Sequence, residues 1–408
     1  MKLFNSYTRR KETFIPLEGK TVKMYVCGIT PYDTTHLGHA FTYVFFDTLK
    51  RFLEYLGYKV LYTQNVTDID DDILKKAEEE NKDWKKLGKY WTNRFLMDMK
   101  SLNVLIPTHY VKATDSITLM IYIIKVLLDK NYAYQKNGNV YFEVKKFESY
   151  GKLSHFNKNQ MLCISKERGG YPDDPLKKNP LDFVLWQSAN RRDKNEPFWE
   201  SPWGRGRPGW HIECTAMALS TLSEQTISGE RSRTIDIHGG GRDLIFPHHE
   251  SEIAQSESYT GKAPFVKYWL HTSMVLYEGE KMSKSLGNLV MISDLLKRFS
   301  PNVIRYVLLS HYYRLPWEFE DIELEIAQKS IKLIEEALSL KTDFKMKKIE
   351  DTYFKKFESC MNNDMDTPSA LTNATRTAKK IIRDGKKFDV LKLQTSLREM
   401  LKVLGFIF

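Results

Sequence analysis

Two short segments carry residues able to grip phosphate. His36-Leu37-Gly38-His39 lies between a run that reads as a strand and a run that reads as a helix. A helix start offers free N–H groups and the positive end of its dipole, which suits an anion. Two imidazoles one turn apart can then donate to the same phosphate oxygens. Gly38 between them lets adenine or ribose come close to the backbone. The second segment is Lys281-Met282-Ser283-Lys284-Ser285, followed by Leu-Gly-Asn. Its two lysines can hold triphosphate oxygens as charge moves toward pyrophosphate. Alone, the first segment could be two ordinary helix histidines and the second a solvated lysine loop. The ordinary reading outweighs phosphate binding for HLGH taken alone, whereas KMSKS is specific enough to favour a phosphate clamp by itself.

The elements that position these residues can be read from periodicity. Residues 21–30, TVKMYVCGIT, read as a buried strand ending in a glycine turn. HLGHAFTYVFFDTLKRFLEYLGY continues with apolar residues at helical spacing and stops at Gly57, a C′ glycine. Residues 59–66 read as the next strand, so the order predicts a parallel βαβ unit. The pattern from Asp83 to Asn131 is helical, and Asn139–Val144 reads as a strand. Residues 165–210, rich in Pro, Gly, Arg and Trp, read as loops around a site. A helix from about His211, the strand TIDIHG, a helix holding HHESEIAQSES and a strand near YWLHTSMVLY follow. From about Pro301 to Phe408 the pattern is helical throughout.

Composition narrows the class. The 408 residues exceed one compact core, and 42% hydrophobic with 28% charged residues fits a globular chain rather than a disordered one. The N-terminal MKLFNSYTRRKETF has basic residues but no apolar stretch behind them, and no window reaches a membrane span. The expectation is a cytoplasmic protein with no membrane contact. A net charge of +10 favours an anionic partner, although a lysine-rich proteome would also produce it. The four cysteines, Cys27, Cys163, Cys214 and Cys360, show no CxxC pair and read as reduced thiols, either buried fillers or metal ligands.

HLGH and KMSKS in this order resemble the signature pair of class I aminoacyl-tRNA synthetases. MYVCGITPYDTTHLGHA, NVTDIDDDILKKA, GRGRPGWHIECTAMA, DIHGGGRDLIFPHHESEIAQ and KMSKSLGN resemble segments of the cysteine-activating branch. The resemblance spans nearly the whole chain. It implies an α/β fold with a Rossmann-type parallel nucleotide-binding sheet, split as residues 1–115 and 205–290 around an insertion at 116–204. It further implies a connecting segment at 291–320 and a C-terminal helical bundle at 321–408; an anticodon-binding domain usually follows in the tRNA enzymes, and none is expected as a separate domain within this sequence.

The resemblance also assigns a metal set. Cys27 ends the first strand, Cys214 lies in GWHIECTA, and His248 and Glu252 stand four apart on one helix face. Two thiolates, an imidazole and a carboxylate make a zinc shell, to which the substrate cysteine would add its own sulfur. Serine has nearly the same shape as cysteine, and shape alone separates such isosteres poorly. A soft thiolate bond to zinc separates them well. His249 and Glu250 do not make a protease motif, because HHESE lacks two histidines four apart.

Other roles carry over position by position. His36, His39, Lys281 and Lys284 would act on the ATP phosphates, with Mg2+ accompanying ATP. Thr30 and Thr42 would lie near the adenylate, and Asn65 and Thr67 would contact the bound cysteine. Trp210 would wall the cysteine. Gly239, Gly240 and Gly241 would admit adenosine, Asp243 would lie near its ribose, and Val275 would offer backbone to adenine.

Two acceptors fit the resemblance. One is tRNA(Cys), the other the amine of a glucosaminyl-inositol in mycothiol synthesis. GITPYD, QNVTD and the end of the chain at LGFIF lean toward the amino sugar. Glu252, SEIAQSES, MNNDMDTPSAL and the basic surface lean toward tRNA. A non-catalytic tRNA-binding paralogue is the third reading, and it would usually have lost a clamp or metal residue.

Overall fold

In the computed structural model five strands build the central sheet, all parallel: β1 (Thr21–Ile29), β2 (Lys59–Val66), β3 (His109–Lys112), β4 (Ile235–Gly241) and β5 (Val266–Thr272). The structure describes all residues except 34, 190–195, 223, 226–230, 233, 283–286, 342–351 and 386–389. The strand order is β5-β4-β1-β2-β3. Order reverses between β1 and β4, and a crevice opens where strands diverge at such a point, beyond their carboxyl ends. β1 is buried on both faces, as befits the middle of a covered parallel sheet.

Helix α1 (Leu37–Tyr55) follows β1. His36 is its N-cap, and the His36 Nδ1 accepts from the Gly38 N–H at 3.1 Å. Phe41, Phe45, Phe46 and Phe52 are buried along it. Gly57, at φ +86°, turns the chain into β2. Gly239 in β4 meets α1 closely: a Cβ there would fall 2.1 Å from the Phe46 ring. Helix α2 (Trp210–Leu222) carries Trp210 and Cys214, and α3 (Glu250–Thr260) carries Glu252.

Three sequence expectations change. The helical run 83–131 is broken into Trp84–Ser101, β3 and Ile117–Asp129. Asn103 at φ +56° ends the first helix, and Pro107 lacks the N–H needed to continue one. Second, the stretch 165–210 holds strands Phe183–Ser188 and Gly206–Pro208. These join Ala133–Lys136 and Asn139–Phe142 in a four-stranded antiparallel sheet. Third, the last expected strand divides into β5 and Val275–Tyr277; the latter pairs with Trp317–Glu318 and Glu280–Lys281.

Beyond Pro301 the described chain is mainly helical, with Pro301–Leu309, Asp321–Ser339, Thr352–Asn362, Thr367–Asp384 and Leu391–Val403. Arg305 ties this part to α1. Its Nε donates to the Leu404 carbonyl at 2.6 Å and its Nη1 to that of Leu102 at 2.8 Å. Its Nη2 pairs with the buried Asp47 of α1, which also accepts from Arg51 and the Leu105 N–H. A buried cation is tolerable only when so fully bonded. Among the described residues no helix is long and apolar enough to cross a membrane.

Candidate metal centre and nucleotide cleft

Cys27 sits near the carboxyl end of β1, where the pairing with β2 slips between Val26 and Ile29. That irregularity is pinned from both sides. The Gly28 N–H donates to Asn65 Oδ1 at 2.7 Å, and the Tyr43 hydroxyl of α1 donates to the Cys27 carbonyl at 3.1 Å. Gly28 must be glycine, because a Cβ would lie 1.6 Å from the Asn65 carbonyl oxygen. The strand thereby presents Cys27 Sγ at the crevice floor.

Cys214 on α2, His248 in the turn before α3 and Glu252 on α3 converge on that sulfur. The donor atoms of these four lie within 4.8 Å of one another, and all four residues are buried. Cys27 Sγ is 3.8 Å from Cys214 Sγ and 3.8 Å from Glu252 Oε1. His248 Nε2 is 3.2 Å from the same Oε1. Bonds of about 2.0–2.3 Å in a tetrahedron give donor–donor edges of roughly 3.3–3.8 Å, so the spacing suits one small ion. Burial, reinforced by the Cys214 thiol and then Glu252, pushes the Cys27 thiol well up. Burial likewise raises the Glu252 carboxyl and lowers His248. Charge is disfavoured on each of these groups alone, and a dication reverses that logic for such a donor set.

A ring of histidines surrounds this set, and sequence reasoning missed it. His238 Nε2 lies 3.0 Å from Glu252 Oε2. His249 Nε2 lies 3.3 Å from Cys27 Sγ. Cys27, His238, His249 and Glu252 thus form a second possible donor group. His249 Nδ1 meets His271 Nε2 at 2.8 Å, and His271 Nδ1 meets Ser6 Oγ at 2.8 Å. His211 Nδ1 meets His248 Nδ1 at 3.0 Å. Burial lowers His211, His238 and His271 to about 3, so they are neutral imidazoles near neutrality. Two thiolates favour a soft-accepting ion in the first group. Neutral histidines hydrogen-bonded to a carboxylate or to a ligand's second nitrogen are the usual outer support. The available signal was a histidine on β4, one on β5 and the doubled His248-His249.

Trp210 stacks on His248, with ring centroids 4.2 Å apart. Asn65, whose Oδ1 holds Gly28, donates from Nδ2 to Thr67 Oγ1 at 3.3 Å. The Thr30 carbonyl accepts from the Tyr32 N–H in the turn after β1.

The residues expected to meet the nucleotide lie at the ends of β4, β5 and α1. His36 and His39 rings lie against each other, with centroids 3.8 Å apart. Thr42 Oγ1 contacts Thr272 Oγ1 at 2.7 Å, joining α1 to the end of β5. The Leu37 N–H donates to the Val290 carbonyl, and the Ile292 N–H to that of Thr35. The segment after KMSKS is therefore bonded to the chain entering α1. Lys281 is exposed, with Nζ 3.7 Å from Asp243 Oδ2. Lys284 lies outside the described residues. A Cβ on Gly240 would approach Leu244 at 2.8 Å, and one on Gly241 would meet Asp243 Oδ1 at 2.5 Å. These glycines and Gly239 already face close neighbours within the fold. Val275 is buried at the start of its short strand.

Comparison with known proteins places this arrangement. Residues 13–329 match the family model of the tRNA synthetases class I (C) catalytic domain. A cysteine–tRNA ligase of Dehalococcoides mccartyi is 43% identical over 99% of this chain and 86% of its own length. One from Legionella pneumophila is 43% identical over the whole chain and 85% of its own. The methionyl-tRNA synthetase of Mycobacterium tuberculosis, in complex with methionyl-adenylate, shares the fold at a TM-score of 0.63 and 14% identity. That match covers 95% of this chain and 90% of the other. The fold and the family match define a class I tRNA synthetase. Within that class, the chain belongs to the family of the cysteine–tRNA ligases.

Proposed function

We propose that this protein activates L-cysteine with ATP to cysteinyl-adenylate and transfers the cysteinyl group to tRNA(Cys). The observation that carries the reading is the convergence of Cys27, Cys214, His248 and Glu252 beside the nucleotide crevice. These four residues would hold one zinc ion, with the histidine ring as outer support. Zinc bound there supplies a soft acceptor for the substrate thiolate, which a serine hydroxyl cannot match. Trp210 walls the amino-acid pocket, and Asn65 with Thr67 fixes its floor.

The cysteine carboxylate attacks the α-phosphate of ATP in line, and pyrophosphate leaves. The protein contributes positioning and charge rather than a covalent nucleophile. The N-terminus of α1, with His36 and His39, faces the phosphates. Lys281 and Lys284 stabilise the leaving pyrophosphate, with Mg2+ on the triphosphate. Gly239–Gly241 and Asp243 receive the adenosine, Val275 offers its backbone to adenine, and Thr30 and Thr42 flank the adenylate. The acceptor is tRNA and not an amino sugar, in keeping with the activity named for relatives that match 99% or more of the chain. The site of action is the cytoplasm.

Cysteine-dependent exchange of pyrophosphate into ATP, with serine as control, tests the first half-reaction. Aminoacylation of tRNA(Cys) compared with ligation to glucosaminyl-inositol tests the second. Cysteine transfer to the sugar alone would overturn the acceptor.

A further inference from the structure

A second concave site lies far from the crevice in sequence, between the helices Thr352–Asn362 and Thr367–Asp384. It has a volume of about 380 Å³, room for roughly a dozen waters at about 30 Å³ each. Its lining is polar where two packed helices would ordinarily be apolar. Lys356 and Ser359 come from the first helix, and Ser369, Thr372, Asn373 and Arg376 from the second. The latter four recur at i, i+3, i+4 and i+7, on one helix face.

Asn373 makes the cavity more than a charged surface. It is 6% exposed, and its Nδ2 donates to the Ser369 carbonyl at 2.9 Å and to Cys360 Sγ at 3.7 Å. Its Oδ1 is buried and accepts from no donor among the described residues. A buried acceptor without a donor costs about 1–3 kcal/mol, so a hydroxyl entering the cavity gains by supplying one. Lys356 and Arg376 are exposed and form no ion pair among the described residues. The nearby Asp366 is engaged in capping, its carboxylate accepting from the Ser369 N–H at 3.1 Å. Lys356 Nζ lies over the Tyr353 ring, 5.7 Å from its centroid, so two cations without a carboxylate partner among the described residues outweigh one committed carboxylate.

We propose that this cavity is a subsite for a ribose–phosphate unit of the tRNA backbone. The phosphate lies between Lys356 and Arg376, and a sugar hydroxyl donates to Asn373 Oδ1. Phosphate contacts fix register on a nucleic acid without reading its sequence, and a 2′-hydroxyl is the group that marks RNA. The inference rests on tRNA being the acceptor.

The test measures tRNA(Cys) affinity against salt for the wild type, K356Q/R376Q and K379Q, an exposed lysine on the same helix but outside the cavity. Losing the grip on that one phosphate should weaken binding about tenfold and flatten the log–log salt slope by about 0.7–0.9. K379Q should leave the slope close to wild type. Cysteine-dependent pyrophosphate exchange should be unchanged in all three proteins. In a Cys163→Ser background, tRNA should slow alkylation of Cys360 by a maleimide, and inorganic phosphate should not. The subsite is overturned by a wild-type slope in the double variant, by an equal loss in K379Q, or by equal protection with inorganic phosphate. If the wild type fails to charge tRNA at all, the acceptor assignment falls instead.

Discussion

The two ends of the crevice are built differently. At the candidate metal end all four donors are buried; Glu252 lies against His238, His248 against His211 and Trp210, and Gly28 beside Cys27 is held by Asn65. At the phosphate end Lys281 is exposed on a two-residue strand, and its described partner is the half-exposed Asp243. Selecting between thiol and hydroxyl requires donors fixed before substrate arrives, because specificity is a difference in affinity set by geometry. Stabilising a leaving pyrophosphate requires charge that engages as the charge develops. Under the proposed function, a rigid selector and a solvent-facing clamp would therefore share one cleft.

The contrast is broken most severely at Cys214. Cys214→Ala removes one donor of four, and the protein should lose stoichiometric metal and fall at least ~10³-fold in cysteine activation. Metal analysis by mass spectrometry alongside pyrophosphate exchange checks this; full metal content in the variant would mean that His238 and His249 complete the set instead. Lys281→Ala should act on the other end alone. Removing one charge that stabilises a transition state costs about 10²-fold in kcat. Metal content and cysteine affinity should stay at wild-type levels, and a drop in either would show that the two ends are not independent.

A pH titration separates them further. Cys27 is raised by burial, so its thiol keeps its proton until a metal displaces it. Each proton released on binding makes metal affinity about tenfold weaker per unit of acidification, at about 1.4 kcal/mol per unit. Competition with a chelator at several pH values should therefore show affinity rising with pH. A flat profile would place the metal on donors that carry no proton.

Much of this architecture was legible because it is local. A buried apolar run, a helical periodicity and a second strand-like run marked β1, α1 and β2, and Gly57 marked the turn between the last two. Motif resemblance singled out the same four donors that the fold brings together. What stayed hidden depends on tertiary neighbours. The run 83–131 has a helical pattern at both ends, and only its pairing with Thr63–Val66 makes His109–Lys112 a strand. His238, His249 and His271 are isolated residues on separate elements. Nothing in their spacing shows that the fold stacks them around Glu252. Gly239 carries a packing constraint for the same reason, since Phe46 is nearly two hundred residues away.

Asn65 gives the smallest expected effect and the sharpest view of how selector geometry is maintained. It touches none of the four donors in the described contacts, yet its Oδ1 takes the Gly28 N–H next to Cys27. Asn65→Ala leaves that N–H without its partner in a partly buried setting, which costs about 1 kcal/mol in stability. Because Gly28 has room for no Cβ against Asn65, the backbone has little freedom to find another acceptor. The loosened bulge should displace Cys27 Sγ, weakening metal binding several-fold while leaving the clamp intact. Thermal unfolding with and without metal measures both parts. Asn65→Asp restores the acceptor and should recover metal affinity; if it does not, the amide contributes through its contact with Thr67 rather than by holding the bulge.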